Sequence, residues 1–464
     1  MIDFSLAVRN LLRNRRRSLA TFIALAIGTS SILLFGGFRK NIEYSMHTAY
    51  VREGGHLQIQ HRDMFLYGSG NPIKYSIANY QALIGAIEQD PALREMGVIV
   101  TPALKFGGIA SNFSAGVSRT VIGLGLVAAD YNRMRSWNGF DLPLRSPRFA
   151  LDGAAQDAAI VGTGLARVLL LCEPLAVPDC PKPAPEAKAE GEALPSDISQ
   201  LAQLDAPATP AAKSAKPHIE LLASSAGGAP NVVSLEVVRA ERQGFKEVDE
   251  IYLMLQLSEA QRLIYGRALP KATAIMVQLQ RSEQLAAAKQ RIAALLEARA
   301  PDEPLGVLDF RELNPFFVQT VQMFDTIFGF VFALIASIVL FTVGNTMSTA
   351  VMERTVEIGT IRAMGLRQRG VQRLFVVEGT LLGVAGAVTG AVFAVLASVA
   401  VNHMGLTWLP PGSGDRLPLQ MLVLGETATI AATTLALILI AALSAWWPAR
   451  RASRLVIVDA LRHV

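Results

Sequence analysis

The sequence is poor in cysteine and in charge. Its 464 residues include two cysteines, and charged residues make up 17% against 51% hydrophobic ones. So few charges exclude an ordinary soluble enzyme, and the remaining polar content excludes a chain that lies wholly in the membrane. The balance, with a mean hydropathy of +0.35, predicts a few spanning helices joined to a sizeable soluble part.

Motifs of nucleotide hydrolysis and of common catalytic sites are missing. No Gly-Lys pair occurs, so there is no GxxxxGK[ST] loop to cradle phosphates, and neither GxSxG nor HExxH is present. His56 and His61 lie five residues apart, on opposite faces of a strand, which argues against a shared metal. We therefore predict a chain that is no enzyme and binds no cofactor or metal itself.

Four apolar stretches are long enough to cross a bilayer, which takes roughly 20 residues of helix. They are predicted at residues 19–40, 324–352, 374–402 and 421–447. Glu378 and Glu426 stand near the starts of the last two, where a carboxylate is expected at the membrane interface.

Arginines give these spans an orientation. They cluster before the first span, between the second and third, and after the fourth, and arginine-rich loops face the cytoplasm. This accounts for the net charge of +5 without nucleic-acid binding. Both termini, including the tail 448–464, are predicted to be cytoplasmic, whereas residues 41–323 and the loop 403–420 are periplasmic. The first span is expected to stay as an anchor in the inner membrane, the alternative being a cleaved signal peptide.

Residues 1–18 combine apolar side chains with arginines at short spacing. This predicts an amphipathic elbow helix on the cytoplasmic leaflet, with a disordered basic tail as the alternative.

The long periplasmic segment mixes two kinds of periodicity. Residues 56–60 and 274–279 alternate as strands do, whereas residues 80–88 and 282–299 have helical spacing. The fold class is therefore an α-helical membrane protein with four transmembrane helices and a large α+β domain inserted between helices 1 and 2. Residues 158–177 are predicted to be a strand and a helix of that domain, and a fifth span is the alternative.

One part of the domain has a different composition. Residues 177–217 are rich in proline, alanine, lysine and glutamate, which predicts a disordered insertion. Cys172 and Cys180 stand at its root. An oxidising periplasm would allow a disulfide between them, and two separate thiols are the alternative.

The loop after the second span carries the most informative pattern. Glu353 and Glu357 are four residues apart, and Ile358, Ile361 and Met364 recur at helical spacing. A short amphipathic helix is predicted there, ended by Gly365, because glycine tolerates the left-handed conformation. Such a helix either lies against lipid headgroups or docks into the groove of a partner protein.

Residues 351–365 resemble the coupling helix of the FtsX/MacB/LolC-LolE family of ABC transporter permeases. The segments 7–17, 160–167, 244–249 and 447–462 are similar to other parts of that family, so the resemblance spans nearly the whole chain. It implies one span before the outer domain and three after it. It also implies a set of ATPase-coupling residues: Glu353, Arg354, Glu357, Ile358, Arg362, Met364 and Gly365.

The resemblance implies a mechanism as well. A dimer of permeases, of two copies or of two paralogues, would sit on a dimer of separate ABC ATPase subunits, which bind ATP and magnesium. Closure of the ATPases would push the coupling helix and move the periplasmic domains, which is mechanotransmission rather than channel opening. Gly28, Gly36 and Gly37 in the first span would allow close helix packing or line an apolar substrate cavity.

Three functions fit this resemblance. The first is release of lipoproteins or lipids from the inner membrane, with a periplasmic lipoprotein acceptor. The second is efflux of a drug, peptide or toxin from the periplasm with an adaptor. The third is signalling to a cell-wall hydrolase.

Overall fold

The computed structural model describes residues 2–13, 15–144, 147–178, 180, 217–409 and 416–456. The chain divides into two compact units. The membrane unit is built mainly from Met1–Met46, Phe316–Trp408 and Leu417–Val464, and the sheet unit mainly from His47–Pro315. Most of the predicted insertion 177–217 and the end of the predicted tail 448–464 lie outside the described residues.

Two helices begin the chain, α1 (Ile2–Arg13) and α2 (Arg15–Gly54). The predicted elbow, 1–18, thus contains α1 and the start of α2. Helix α2 continues well past residue 40, where the first predicted span ends and the outer domain begins. No glycine or proline interrupts residues 39–53, and Gly55, with a φ of +78°, ends the helix in a conformation that favours glycine.

The described residues of the sheet unit form nine strands. They are β1 (Leu57–His61), β2 (Ile99–Asn112), β3 (Val117–Leu126), β4 (Ala158–Gly162), β5 (His218–Ser224), β6 (Pro230–Glu241), β7 (Tyr252–Gln256), β8 (Ala274–Gln278) and β9 (Leu305–Asp309).

Where the structure describes the sheet unit, its helices are short except for one of 15 residues. They are α3 (Met64–Tyr67), α4 (Tyr80–Gln89), α5 (Pro91–Glu95), α6 (Ala128–Arg135), α7 (Thr163–Val168), α8 (Lys246–Asp249), α9 (Leu257–Tyr265), α10 (Leu285–Arg299) and α11 (Phe310–Leu313). Turns of 3-10 helix lie at Pro72–Tyr75, Phe113–Ala115 and Ser282–Gln284.

The strands pair in the order β3-β7-β4-β6-β5-β2-β8-β1-β9, and β2 also pairs with β3. The pairing of β2 with β3 closes the six strands β2 to β7 into a ring, and β8, β1 and β9 extend the sheet beyond it. The side chains of Leu104, Phe106 and Leu221 belong to the large apolar cluster of these strands. Helices α4 and α10 cover a second cluster with β1 and β8. Residues 158–177, which were predicted to contain a strand and a helix, include β4 and α7.

The rest of the membrane unit follows the sheet unit along the chain. It comprises α12 (Pro315–Glu353), α13 (Thr355–Ala363), α14 (Gln368–His403), α15 (Thr427–Ser453) and the two-residue strands β10 (Thr407–Trp408) and β11 (Leu417–Pro418). Helix α15 begins at Thr427, six residues after the predicted start of the fourth span. Within the described residues, α2, α12, α14 and α15 are long and apolar enough to cross a membrane.

Candidate coupling site

A short helix lies between the second and third spanning helices. The residue before α13, Arg354, has φ −110° and ψ 18°, so the backbone leaves the helical conformation between α12 and α13. At the other end, Gly365 has a φ of +103°, the left-handed region that favours glycine. The sequence therefore sets α13 apart as a separate nine-residue element.

The apolar side chains of α13 point in two directions. Ile358 is buried in a cluster with Phe375 of α14 and Ala449 of α15. Val356, Ile361 and Met364 are exposed. The predicted stripe of Ile358, Ile361 and Met364 is therefore divided: its first member anchors α13 on the membrane unit, whereas the other two remain available to a partner.

Arg354 faces into the membrane unit. Its guanidinium Nη1 donates to Glu378 of α14 at 3.0 Å, and its Nη2 donates to the backbone oxygen of Asn10 in α1 at 3.1 Å. The Asn10 side chain donates to the same carboxylate at 2.5 Å. Only 6% of Arg354 is exposed. Because a buried ion pair needs such complementary contacts, we assign Arg354 to the packing contact between α1, α14 and the start of α13 and not to the outer surface.

Glu353 and Glu357 are held by arginines of the N-terminal region. Arg13 of α1 donates to both carboxylate oxygens of Glu357 at 2.8 and 2.9 Å. Arg17 of α2 makes the corresponding pair with Glu353 at 3.0 and 2.9 Å. The hydrogen bond and the charge of Glu357 raise the pKa of Arg13. Both carboxylates therefore already have a cationic partner within the chain.

The remaining predicted coupling residues lie near the C-terminal end of α13. Arg362 donates to the backbone oxygen of Leu455, beyond the end of α15. Met364 is 74% exposed. Arg362 thus connects α13 to the C-terminal region, and Met364 offers the largest exposed apolar surface of the predicted set.

The three glycines of α2 lie at close contacts with other segments of the membrane unit. A Cβ atom at Gly28 would come within 2.9 Å of Ile335, one at Gly36 within 3.3 Å of Phe328, and one at Gly37 within 2.8 Å of Val423. These distances are at or below the limit of ordinary contact, so they favour packing over an open cavity. In the sheet unit, Cys172 and Cys180 are joined by a disulfide with Cα atoms 6.1 Å apart.

Sequence reasoning missed the N-terminal half of this site. It did not assign Asn10, Arg13 or Arg17 a role at α13, and it placed Glu378 at the interface without a partner. The signal was present, because a lone carboxylate in an apolar span requires a partner. No cluster of three or more metal-ligating side chains occurs in the described part of the chain.

Within the described residues, four helices are long and apolar enough to cross a membrane, and ionic contacts surround a short helix between the second and third. This arrangement is typical of a multi-pass membrane protein. The C-terminal part of the sequence narrows this class to one family of permeases. Residues 327–457 match the family described as FtsX-like permease C-terminal, and this range contains α13.

Curated relatives agree with that match. The chain is 27% identical over 248 residues to the lipoprotein-releasing system transmembrane protein LolC of Neisseria meningitidis serogroup B, covering 51% of this chain and 57% of LolC. It is 33% identical over 192 residues to the macrolide export ATP-binding/permease protein MacB of Shewanella sp. (strain W3-18-1), covering 40% of this chain and 27% of MacB. Among solved structures, the extracellular domain of the noncanonic ABC-type transporter YknZ from Gram-positive bacteria aligns with 55% of this chain and with 99% of the YknZ chain. The sequence identity is 14% and the TM-score is 0.29.

The chain is thus similar to the FtsX/MacB/LolC-type permeases, and the resemblance seen in its motifs is confirmed. The chain spans about half the length of the LolC relatives from Neisseria and Xylella, between 53% and 57%. Together with the four candidate spanning helices, these relatives point to an inner-membrane protein.

Proposed function

We propose that this chain is the membrane subunit of an ABC transporter that works by mechanotransmission. A separate ATPase subunit would bind ATP and magnesium and dock on α13, and the chain itself would carry out no catalysis. The observation that carries the proposal is the division of α13. Ile358 anchors it on the membrane unit, while Val356, Ile361 and Met364 stay exposed between two spanning helices.

In this proposal the arginine clusters and both termini are cytoplasmic and the sheet unit is periplasmic. The positive-inside rule supports this orientation. A cysteine at position 269, where Leu269 is 82% exposed, should react with an impermeant maleimide added to intact spheroplasts. A cysteine in place of Met364 should react only after the cells are opened. The reverse pattern would refute the orientation.

The substrate we propose is a lipoprotein or lipid released from the inner membrane, with two permease subunits in the complex. The similarity to LolC, named for lipoprotein release, supports this choice. The similarity to MacB, named for macrolide export, favours efflux from the periplasm as the second candidate. Mass spectrometry of the purified native complex separates them, since bound acylated protein fits the first and a periplasmic adaptor without acylated protein fits the second.

Stimulation of the ATPase subunit tests the docking site. Met364→Glu should weaken docking by roughly 2 kcal/mol, or about 30-fold, because an anchor side chain of an interface is replaced by a charge. Met404→Glu is the matched control, since Met404 is 70% exposed just after α14, at the end remote from α13 in sequence. Equal stimulation by the two variants would refute α13 as the docking site.

A further inference from the structure

The N-terminal helix is attached to the coupling region by a ladder of ion pairs. Arg13 and Arg17 are four residues apart, as are their partners Glu357 and Glu353. Each of the two ion pairs joins a different pair of helices. Arg13–Glu357 joins α1 to α13, and Arg17–Glu353 joins α2 to the end of α12.

A helix boundary lies between the two rungs on both sides. Helix α1 ends at Arg13 and α2 begins at Arg15, while α12 ends at Glu353 and α13 begins at Thr355. The two short helices are thus tied to each other, and so are the two long ones. Arg354 lies at one of these boundaries, and its guanidinium reaches both α1 and α14.

We propose that α1 is a second functional element of the coupling site, beside α13, and that the two helices move together as a rigid body. In this arrangement Arg13 and Glu357 are positioning residues, and Arg354 is the pivot. A push on α13 is then delivered to α2 through α1 as well as to α12 directly. The chain continues from α2 into the sheet unit and from the sheet unit into α12, so both connections to that unit receive the motion. The inference rests on the proposed function for its role in transport, whereas the tie between α1 and α13 stands without it.

Apolar contacts alone do not account for this tie. Ala7 of α1 is buried and Leu11 packs against the membrane-unit cluster, which places α1 along α14. Ile358 of α13 packs against Phe375 of α14 in a different cluster. Each short helix is thus seated on α14 separately, and Arg13–Glu357, together with the Arg354 contact to Asn10, connects them.

Two other arginines supply matched controls. Arg9 of α1 and Arg16 of α2 are exposed and carry the same charge, and neither forms an ion pair within the described residues. Substituting Arg9 and Arg16 changes the charge of the N-terminal region by the same amount as substituting Arg13 and Arg17. A difference between the two sets of variants therefore reports the ladder and not the general attraction of arginines to anionic lipid.

Distances between spin labels test the tie in the full-length chain in nanodiscs, with no ATPase present. Labels are placed at Leu6→Cys in α1 and Ala363→Cys in α13, both exposed, and the two native cysteines are occupied in their disulfide. The parent should give one narrow distance distribution. Arg13→Ala with Arg17→Ala should broaden it at least twofold, and Arg9→Ala with Arg16→Ala should not.

A charge exchange decides whether the pair itself is responsible. Arg13→Glu should broaden the distribution, and adding Glu357→Arg should narrow it again. An unchanged distribution in Arg13→Ala/Arg17→Ala, or no rescue by the exchange, would overturn the inference. Because no ATPase is present, this result is separate from the docking test, where a failure at Met364 would refute the proposed function and leave the tie standing.

Discussion

The two units are stabilised in different ways. In the sheet unit, large apolar clusters bury their side chains within the protein. In the membrane unit, large apolar side chains such as Phe330, Phe341 and Trp447 face outward, where lipid would surround them. Lipid is as apolar as these side chains, so burial gives little force between spanning helices. The ionic contacts around α1, α13 and α14 therefore have more influence on the positions of the helices there.

This comparison makes a general prediction. Removing an apolar side chain from the sheet unit should lower stability, whereas removing an exposed ionic contact from the membrane unit should change helix positions with little loss of stability. Four experiments test this difference, with the largest expected effect on stability first.

Phe106→Ala should give the largest loss within the sheet unit. Phe106 is fully buried in the cluster of the strand ring, and deleting such a ring typically costs about 3–5 kcal/mol. Urea unfolding of the detergent-solubilised chain, followed by hydrogen exchange in β2 and β3, measures it. Phe113→Ala is the control, because Phe113 is 76% exposed and its removal should change little. Equal losses would contradict the role assigned to burial in this unit.

Arg354→Met should come next. It leaves the buried carboxylate of Glu378 with the Asn10 amide as its remaining described side-chain partner, and breaking a buried pair costs roughly 3–5 kcal/mol. Thermal unfolding of the chain in nanodiscs checks the loss. Arg354→Met with Glu378→Met removes both charges and should recover most of it. A double variant as unstable as the single one would show that the ion pair is not the cause.

The third effect depends on pH and belongs to the sheet unit. His56 is buried, its Nε2 lies 2.9 Å from the Ser282 hydroxyl, and its Nδ1 accepts from the backbone N–H of Leu279 at 3.1 Å. Burial, followed by the influence of His47, lowers the pKa of His56 to about 3. The unfolded chain takes up the proton near a pKa of about 6.5.

Because the folded pKa lies below the unfolded one, the contribution of His56 is fully present above pH 6.5 and is lost as pH falls. At pH 5 the loss should be about 2 kcal/mol. Thermal unfolding at pH 7 and pH 5 measures it, and His56→Gln should flatten the dependence. An equally steep dependence in that variant would assign it to other groups.

Arg13→Ala should have the smallest effect on stability. The Arg13 and Glu357 side chains are 55% and 50% exposed, and solvent and salt screen exposed pairs so that they contribute little to stability. The same variant should nevertheless reduce stimulation of the ATPase subunit severalfold, because α1 no longer follows α13. Arg9→Ala provides the comparison. Full stimulation in Arg13→Ala would show that the ladder has no part in coupling.

Hydropathy alone predicted much of this fold. The four spanning candidates follow from apolar length, and several strands and helices of the sheet unit follow from periodicity. The boundaries were harder, because residues 41–54 are too polar to resemble a span yet continue α2 without a helix-breaking residue before Gly54. Residues 421–426 are apolar enough to be taken as helix, but α15 starts after them.

The candidate site was predictable in position but not in its contacts. The spacing of Glu353, Glu357 and Ile358 predicted a helix, yet nothing local indicates that Arg354 turns inward. Its partner, Glu378, is 24 residues further along, and Asn10 is 344 residues away. Such long-range contacts depend on how the helices assemble, which a single sequence does not specify.

Docking of an ATP-binding subunit on α13 is the step on which the proposed function depends. Photo-crosslinking tests it most directly, with benzoylphenylalanine at position 364 and, as the control, at position 404, in native membranes. The account predicts a crosslinked ATP-binding subunit, identified by mass spectrometry, from position 364 and none from position 404. Crosslinks from position 364 only to lipid or to this chain itself would contradict it.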